Sequence, residues 1–122
     1  MFKRQAGVKY NAKKTEVDGI RFMSSLEARF YTYFKQNKDI KIIKLQPKFL
    51  LQSKCNYFWE KIREINYLAD FKIDVLWDIY ILDIKGFSTT DFKLKAKMFK
   101  YKYPDERLLI VKSIKELESI IY

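Results

Sequence analysis

Asp70, Asp83 and Lys85 stand in residues 66–86, a stretch typical of two β-strands joined by a tight connection. Asp83 and Lys85 are two residues apart on the second strand, so their side chains project from the same face. If the two strands pair with each other, Asp70 of the first strand comes roughly opposite Asp83. The spacing therefore predicts that two carboxylates and an ammonium group meet beside largely apolar strands.

This predicted cluster has two interpretations. Neighbouring carboxylates repel each other and lose solvation at the edge of a core, and a divalent cation would remove the repulsion. Mg²⁺ is usually held by one or two carboxylates together with waters and substrate phosphates, and a lysine beside it could orient or deprotonate a bound water. The alternative is a salt bridge in which Lys85 neutralises Asp83 on a solvated strand face. Spacing alone leaves both interpretations open.

The chain of 122 residues contains no histidine and a single cysteine, Cys55. This composition excludes His-dependent nucleases, Ser–His and Cys–His triads, and zinc sites built from His or Cys. Any metal must then be a hard cation bound by oxygen. Gly7, Gly19 and Gly86 lie far apart, which argues against the glycine-rich phosphate loop of a P-loop NTPase or a Rossmann enzyme.

The charge balance predicts a polyanionic partner. The chain has 25 basic and 15 acidic side chains, a formal charge of +10, which fits nucleic acid most simply or otherwise an anionic membrane surface. An apolar share of 48% is ample for the core of one domain. One cysteine allows no intrachain disulfide, and neither a signal peptide nor a bilayer-spanning run is visible. We therefore expect a cytoplasmic protein without a membrane partner.

Residues 1–14 contain five basic side chains and no acidic one, without clear periodicity. We interpret them as a basic arm that contacts the phosphate backbone, with an aromatic ring available for stacking on bases. The alternative is a solvated chain terminus. The candidate DNA-binding residues of the arm are Lys9, Tyr10, Lys13 and Lys14.

The segments after the arm predict a hairpin and a helix. Asp18–Gly19 between apolar residues is a hairpin signal. Residues 24–37 carry one apolar stripe at helical spacing. Ser24 and Glu27 form a Ser-x-x-Glu capping box, which accounts for Glu27 as a helix cap. Glu27 also borders the apolar stripe, so its carboxylate could instead face a sheet on which the helix packs.

A second helix is predicted from Thr90 or Asp91, either of which could cap it, to about residue 103. One of its rows is cationic, with lysines at i, i+4 and i+7. Like charges in such a row weaken an isolated helix, and a phosphate backbone lying along the row would reverse that effect. The alternative is a solvated lysine face. The row consists of Lys93, Lys97 and Lys100.

The remaining segments predict a sheet and a third helix. Residues 40–52 are typical of a strand interrupted by Pro47, hence an edge strand or a bulge, with Gln46 and Lys48 beside the break. A turn is expected at residues 55–56. A buried strand is predicted at residues 107–111, followed by a short amphipathic helix over residues 113–121.

The predicted order, with an Asp in one central strand and Asp-x-Lys in the next, resembles the PD-(D/E)XK nuclease superfamily. The residues that carry the resemblance are Ala69–Asp70 and Asp83–Lys85, followed by Gly86. Longer runs resemble a phage-borne family of small endonucleases related to Holliday-junction resolvases and TnsA-type transposon endonucleases. These runs are KYNAKKTEVDGIRFMSSLEARFY, LQPKF, YLADF, DIKGF and FKLKAKMF. The resemblance covers nearly the whole chain, from residue 9 to about residue 104.

The resemblance implies roles for individual residues. Asp70 and Asp83 would ligate the metal, with the Ile84 carbonyl as a third ligand. Lys85 would position or activate the attacking water. Glu27 matches the additional acidic residue of the superfamily and would hold a metal directly or through water. Gln46, in LQPKF, is a weaker candidate for contact with the water or the metal.

Two positions depart from the superfamily pattern. Ala69 stands where the motif has proline, and Asp83 stands where glutamate is commoner; the shorter Asp83 draws the metal nearer to the strand. The resemblance otherwise implies an α/β fold with a restriction-endonuclease-like αβββαβ core after an N-terminal hairpin. Residues 15–122 would form a single nuclease domain.

The expected activity is Mg²⁺- or Mn²⁺-dependent hydrolysis of phosphodiester bonds in DNA, leaving 5′-phosphate and 3′-hydroxyl ends. The resemblance implies branched DNA, cut by a homodimer, in phage DNA replication or recombination inside a bacterial host. One rival interpretation is a DNA-binding module without activity, whose acidic cluster is structural. Another is a subunit of a larger phage or transposase assembly.

Overall fold

A computed structural model describes residues 14–122. They fall into two compact units, which divide between Asp39 and Ile40. The described residues form three helices and ten strands in several sheets, so the predicted α/β class is confirmed at the level of a mixed fold. Lys9, Tyr10 and Lys13 of the predicted basic arm lie outside the described residues. The expectation of one domain over residues 15–122 stays a prediction.

The first unit begins with the predicted hairpin. Strands β1 (Thr15–Val17) and β2 (Ile20–Phe22) pair antiparallel, with Val17 opposite Ile20. The two turn residues, Asp18 and Gly19, have φ angles of 53° and 77°, in the left-handed region that Asp and Gly tolerate best. The Tyr31 hydroxyl of the following helix donates to Asp18 Oδ2 at 3.0 Å and fixes this turn.

Helix α1 (Ser25–Gln36) follows the hairpin, and its first turn is capped as the sequence predicts. The Ser24 hydroxyl accepts a hydrogen bond from the Glu27 backbone N–H at 3.1 Å, which satisfies one of the amides that a helix start leaves unpaired. Phe30 and Phe34, on the predicted apolar stripe, are buried.

The second unit holds the remaining strands and two helices. Its central sheet has four strands, and two further ladders have two strands each. In chain order the elements are β3 (Ile40–Leu45), β4 (Lys48–Gln52), β5 (Cys55–Tyr57), β6 (Glu60–Ile62), β7 (Ile65–Leu68), β8 (Phe71–Val75), β9 (Asp78–Ile84), α2 (Thr90–Lys102), β10 (Arg107–Val111) and α3 (Ile114–Ile121).

The central sheet has the strand order β10–β9–β8–β3. β8 and β9 form an antiparallel hairpin, and β10 lies parallel to β9 on the other side. A parallel neighbour needs a crossover connection, and α2 supplies it. The buried positions of this sheet are apolar except at Asp83, and they include Ile73, Ile81, Leu82 and Val111.

Two predicted strands are each divided between two sheets. The interrupted strand over residues 40–52 becomes β3 and β4, and the strand expected over residues 65–73 becomes β7 and β8. The chain keeps backbone pairing through the break, since Gln46 N–H donates to the Asp70 carbonyl at 2.9 Å and Ala69 N–H donates to the Pro47 carbonyl at 3.0 Å. Pro47 has no N–H for a ladder, and Gln46 has a φ of 47°, so the paired strands bend there.

The β4–β7 ladder packs on α2. Ala96 and Phe99 of this helix are buried with Leu51 and Tyr67, and the Phe99 and Tyr67 rings lie 5.4 Å apart. The predicted cap at Thr90 or Asp91 is wrong by one or two residues, because the Thr89 hydroxyl accepts the Phe92 N–H at 3.1 Å. No helix in residues 14–122 has the length and apolar character needed to cross a bilayer.

The turn expected at residues 55–56 is also wrong. Those residues belong to β5, which pairs antiparallel with β6, and the turn is made by Phe58 and Trp59. Phe58 has a φ of 55°. Turns of this conformation usually carry Asn, Asp or Gly, so an aromatic turn gives no recognisable signal in the sequence.

Candidate active site

Asp70 and Asp83 come together where β8 begins and β9 nears its end. Phe71 pairs with Leu82 in the ladder, Asp70 directly precedes Phe71, and Asp83 directly follows Leu82, so the two aspartates lie roughly opposite each other. The Asp70 N–H donates to the Leu82 carbonyl at 3.0 Å, one residue off the ladder register, so the pairing becomes irregular at this strand end. The observed register agrees with the pairing that the sequence predicts.

Asp83 is the charged side chain most deeply buried among the described residues, with 2% of its surface exposed. The Tyr67 hydroxyl donates to Asp83 Oδ2 at 2.5 Å. The Lys85 ammonium lies 3.4 Å from Asp83 Oδ1. A buried carboxylate is stable only with such partners, because its desolvation is otherwise unfavourable.

Lys85 is held from three sides. The backbone N–H of Lys85 donates to the Val111 carbonyl at 2.9 Å, which continues the β9–β10 pairing beyond Ile84. Its ammonium lies 4.5 Å from the centre of the Phe92 ring on α2, a cation–π distance. The side chain is 30% exposed, so the ammonium pairs with Asp83 and still meets solvent. The salt bridge of the alternative interpretation therefore exists, but the solvated face it assumed does not, because Asp83 is buried.

Asp70 is half-buried and is tied to the chain segment that carries the other two residues. Its Oδ2 accepts a hydrogen bond from the Ile84 N–H at 2.7 Å. The contact ties the Asp70 carboxylate to the backbone of Ile84, the residue between Asp83 and Lys85 in the sequence. The role of the Ile84 carbonyl as a metal ligand stays a prediction.

Tyr67 is the residue of the site that sequence reasoning missed. Burial is the main cause that raises the pKa of its hydroxyl, and the hydrogen bond to Asp83 and the charges of Asp83 and Asp70 raise it further. The hydroxyl therefore stays protonated and remains a donor to Asp83. Tyr67 lies on β7, which does not pair with β9, so no local spacing connects the two residues. The feature of the sequence that could have indicated Tyr67 is its position three residues before Asp70.

Glu27 belongs to the first unit, where it is half-buried in the first turn of α1. Its backbone N–H donates to the Ser24 hydroxyl, which confirms Ser24 as the helix cap, whereas the part of the Glu27 carboxylate in a capping box stays a prediction. Its role as a metal ligand stays a prediction. Within residues 14–122, no group of three or more Asp, Glu, His or Cys side chains is arranged to hold a metal ion.

The donor atoms of the site fit a hard divalent cation. Asp70 and Asp83 supply carboxylate oxygens on neighbouring strands, and Cys55, the single thiol, is exposed on β5 in the separate β5–β6 ladder. Mg²⁺ typically uses one or two protein carboxylates and leaves its other positions to water and phosphate. Two carboxylates without a third acidic neighbour are therefore compatible with Mg²⁺ or Mn²⁺.

A basic concavity of about 390 Å³ opens beside Lys85. It brings Lys85 together with Lys93, from the predicted lysine row, and with Lys112, which the sequence analysis did not single out. Phosphate groups bind readily where several ammonium groups converge. The other residues that border it are Gly86, Phe87, Ser88, Ile110 and Glu116.

The rest of the lysine row lies elsewhere on α2. Lys97 borders a separate concavity of about 360 Å³ with Tyr101 and Lys102, and Lys100 is exposed. Phe92, Ala96, Phe99 and Tyr103, the predicted apolar row, are buried or half-buried. The two faces of the helix are therefore assigned correctly, whereas the lysine row does not converge on one site.

The weaker candidates are dispersed. Gln46 is exposed, and its N–H bonds to the Asp70 carbonyl, so it adjoins the site through its backbone. Lys48 is exposed on β4 opposite Leu68. Lys14 is exposed in the first unit. Their contacts with DNA stay predictions.

Comparison with known proteins yields one relationship. A family model described as "Protein of unknown function (DUF1064)" matches residues 7–118. Neither a curated protein nor a solved structure matches the chain. The matched segment contains Asp70, Asp83, Lys85 and every other candidate residue described above. Since the match covers most of the 122 residues, the chain belongs to the DUF1064 family.

Proposed function

We propose that this protein is a metal-dependent endonuclease that hydrolyses phosphodiester bonds in DNA. The observation that carries the proposal is the convergence of Asp70 and Asp83 on neighbouring strands, with the Lys85 ammonium 3.4 Å from Asp83. The burial of Asp83 adds weight, because a buried charge is retained at a cost in folding stability. Carboxylates buried beside an open basic concavity are typical of functional sites.

The order of elements supports a restriction-endonuclease-like αβββαβ core. Helix α1 precedes the strands in the chain, β8 and β9 form a hairpin, and α2 crosses over to β10, parallel to β9. In this assignment the acidic residues lie at adjacent strand ends, and Lys85 directly follows the last residue of β9. The N-terminal hairpin precedes the core.

Each residue of the site has a proposed role in the hydrolysis. Asp70 and Asp83 would hold Mg²⁺ or Mn²⁺, with the Ile84 carbonyl and Glu27 as further proposed ligands. A bound divalent cation supplies Lewis-acid polarisation of the phosphate and a lower pKa for its water. Lys85 is placed to orient the attacking water and to offset charge that develops on the phosphate. Tyr67 keeps Asp83 in one orientation by donating to Oδ2.

The basic concavity would take a DNA phosphate next to Lys85. Lys93 and Lys112 border it, so the backbone rather than the bases would be held there. Such binding has slight sequence preference and steep salt dependence. Branched DNA and a homodimer, which suits paired cuts, come from the resemblance to junction resolvases and are part of this proposal.

The proposal is tested by cleavage of labelled DNAs of matched sequence: a four-way junction, a linear duplex and a single strand. Each is incubated in Mg²⁺ and in EDTA. We expect paired nicks on the junction with the unchanged protein in Mg²⁺, and no cutting in EDTA. Asp83→Asn should bind the same DNAs without cutting them. Asp78→Asn, at the other end of β9, is the matched control and should cut normally.

Two results would change the proposal. Equal cutting of all three DNAs would retain the nuclease and remove the preference for branches. Binding without metal-dependent cutting by any variant would support the alternative of a non-catalytic DNA-binding module. One observation favours that alternative, because Tyr67 and Lys85 already occupy both oxygens of Asp83, as in a structural cluster.

A further inference from the structure

The β5–β6 hairpin extends the β4–β7 ladder into an exposed arm. The last pair of that ladder is Gln52 with Ile65, and the chain then continues through the hairpin and returns. All residues from 52 to 61 are exposed. Such an arm adds no buried apolar area of its own, so its burial does not explain its composition.

The tip of the arm is aromatic. Tyr57, Phe58 and Trp59 are 61%, 75% and 93% exposed. Their rings contact one another in sequence, with centroids 4.8 Å and 6.0 Å apart. Phe58 adopts a positive φ that glycine or asparagine would adopt more easily. The tip therefore exposes three large rings to water, and Phe58 occupies a turn position that a small residue would adopt with less strain.

One face of the arm is cationic. Asn56 pairs with Lys61, and alternation along the two strands places Lys54 and Arg63 on the same face. These four residues border a concavity of about 880 Å³. Tyr57 pairs with Glu60, and both project from the opposite face. The arm thus combines exposed rings at its tip with a row of cations along one side.

A second hairpin also has an exposed tryptophan at its turn, but it lacks the row of cations. Leu76 and Trp77 form the β8–β9 turn, both have positive φ angles, and Trp77 is 92% exposed. The residues around this turn are acidic, since Asp74 Oδ1 accepts the Trp77 N–H at 2.9 Å and Asp78 follows directly. At the β5–β6 tip a carboxylate also follows the tryptophan, but Glu60 lies on the face opposite Lys54, Lys61 and Arg63, so one face of that arm keeps a row of cations for phosphate.

We infer that the β5–β6 arm binds unpaired DNA bases, with Phe58 and Trp59 stacking on the bases and Lys54, Lys61 and Arg63 holding the adjacent phosphates. Rings interleaved with cations are the usual means by which proteins hold single strands. The inference rests on the proposed function for the identity of the ligand as DNA. Trp59 is eight residues from Tyr67, so the Cα atom of Trp59 lies at most about 29 Å from that of Tyr67, whose hydroxyl contacts the acidic site. This arm therefore assigns the substrate class as DNA with unstacked bases near the cut.

The chain has two tryptophans, Trp59 and Trp77, which allows a direct optical test. Trp77→Phe leaves Trp59 as the single emitter, and Trp59→Phe leaves Trp77. Each protein is titrated in EDTA, where no cleavage is possible, with a 20-nucleotide oligo(dT) and with a blunt duplex. We expect oligo(dT) to quench Trp59 strongly, the duplex to quench it much less, and neither DNA to change Trp77 emission.

Affinities measured by anisotropy of labelled DNA complete the test. Phe58→Ala with Trp59→Ala should weaken oligo(dT) binding by about tenfold or more, and Trp77→Ala should leave it unchanged. Thermal unfolding of each variant checks that it folds. Unchanged Trp59 emission, or an equal loss of affinity in Trp77→Ala, would overturn the inference. Quenching without Mg²⁺-dependent cleavage would contradict the proposed nuclease and leave the inference standing; cleavage without quenching would do the reverse.

Discussion

The two ends of β9 carry one aspartate–cation pair each, and their geometries are alike. Asp83 lies 3.4 Å from Lys85, and Asp78 lies 3.2 Å from Arg107. Each cation also lies over an aromatic ring, Lys85 over Phe92 at 4.5 Å and Arg107 over Tyr80 at 5.0 Å. Distance and partner type therefore do not separate the two pairs.

Burial separates the two pairs. The side chain of Asp78 is 57% exposed, whereas that of Asp83 is 2% exposed and receives a further hydrogen bond from Tyr67. An exposed ion pair adds little to the free energy of folding, because its charges are also well solvated without the partner. A buried carboxylate has lost its water, so removing any of its partners destabilises the fold. An ion pair therefore indicates function only when its surroundings make the charge unfavourable. The predictions below test this difference.

The largest effect is expected from removing the cation at each end. Lys85→Met should lower single-turnover cleavage by about 10²–10³-fold, because it removes a preorganised charge beside the reacting phosphate. Arg107→Met removes the corresponding cation at the exposed end and should leave the rate unchanged. Equal losses in the two variants would show that the ends of β9 do not differ in function.

The next largest effect is expected on stability, when the hydroxyl of the tyrosine near each aspartate–cation pair is removed. Tyr67→Phe leaves a buried carboxylate without its donor, and we expect the free energy of unfolding in urea to fall by about 1.5–3 kcal/mol. Tyr80→Phe keeps the ring under Arg107 and should change that free energy by less than about 0.5 kcal/mol. A Tyr67→Phe protein as stable as the parent would mean that Asp83 is reached by water.

The same hydroxyl predicts a dependence of stability on alkaline pH. Folding raises the pKa of Tyr67, so between the ordinary tyrosine value of about 10 and the higher folded value the native state holds more protons than the unfolded chain. Its stabilisation is complete below about pH 10 and is lost as the pH rises further. Tyr31, whose pKa is raised by burial and then by Asp18, acts in the same direction.

Urea unfolding between pH 8 and 11.5 measures this slope. Tyr67→Phe should reduce it by up to about 1.4 kcal/mol per pH unit, the contribution of one proton. Asp78→Asn provides the comparison from the exposed end and should leave the slope as it is. An unchanged slope in Tyr67→Phe would show that Tyr67 titrates alike in the folded and unfolded chain.

The smallest effect is expected at the exposed carboxylate. Asp78→Asn should change the free energy of unfolding by about 0–1 kcal/mol at low salt, and by less at 1 M salt, where the Debye length is about 3 Å. Unfolding curves at the two salt concentrations provide the measurement. A larger, salt-independent loss would place Asp78 in the same class as Asp83.

The sequence predicted the elements that local chemistry controls. Ser24 caps α1 because its hydroxyl accepts the N–H three residues on, and the third helix follows within the predicted residues 113–121. The Asp18–Gly19 turn was recognised because these residues accept positive φ angles. The strand over residues 107–111 has the predicted bounds. The period of two residues placed Asp83 and Lys85 on one face, and the hairpin register placed Asp70 opposite.

The errors occur where non-local pairing decides. The turn at Phe58 carries no turn residue, so it was placed at residues 55–56, and the arm was missed. Residues 65–73 form two strands, β7 and β8, and not the one predicted, because a partner segment bends at Gln46 and Pro47. Neither outcome can be read from the segment itself, because each depends on a segment distant in the chain.

The sequence by itself therefore determined the helices, the hairpin about residues 74–78 and the spacing of Asp70, Asp83 and Lys85. The tertiary structure decided that Tyr67 donates to Asp83, that Lys93 and Lys112 border the same concavity as Lys85, and that Asp83 is buried while Asp78 is exposed. The reason is physical: capping and side-chain alternation act over a few residues, whereas burial depends on which distant segments pack together.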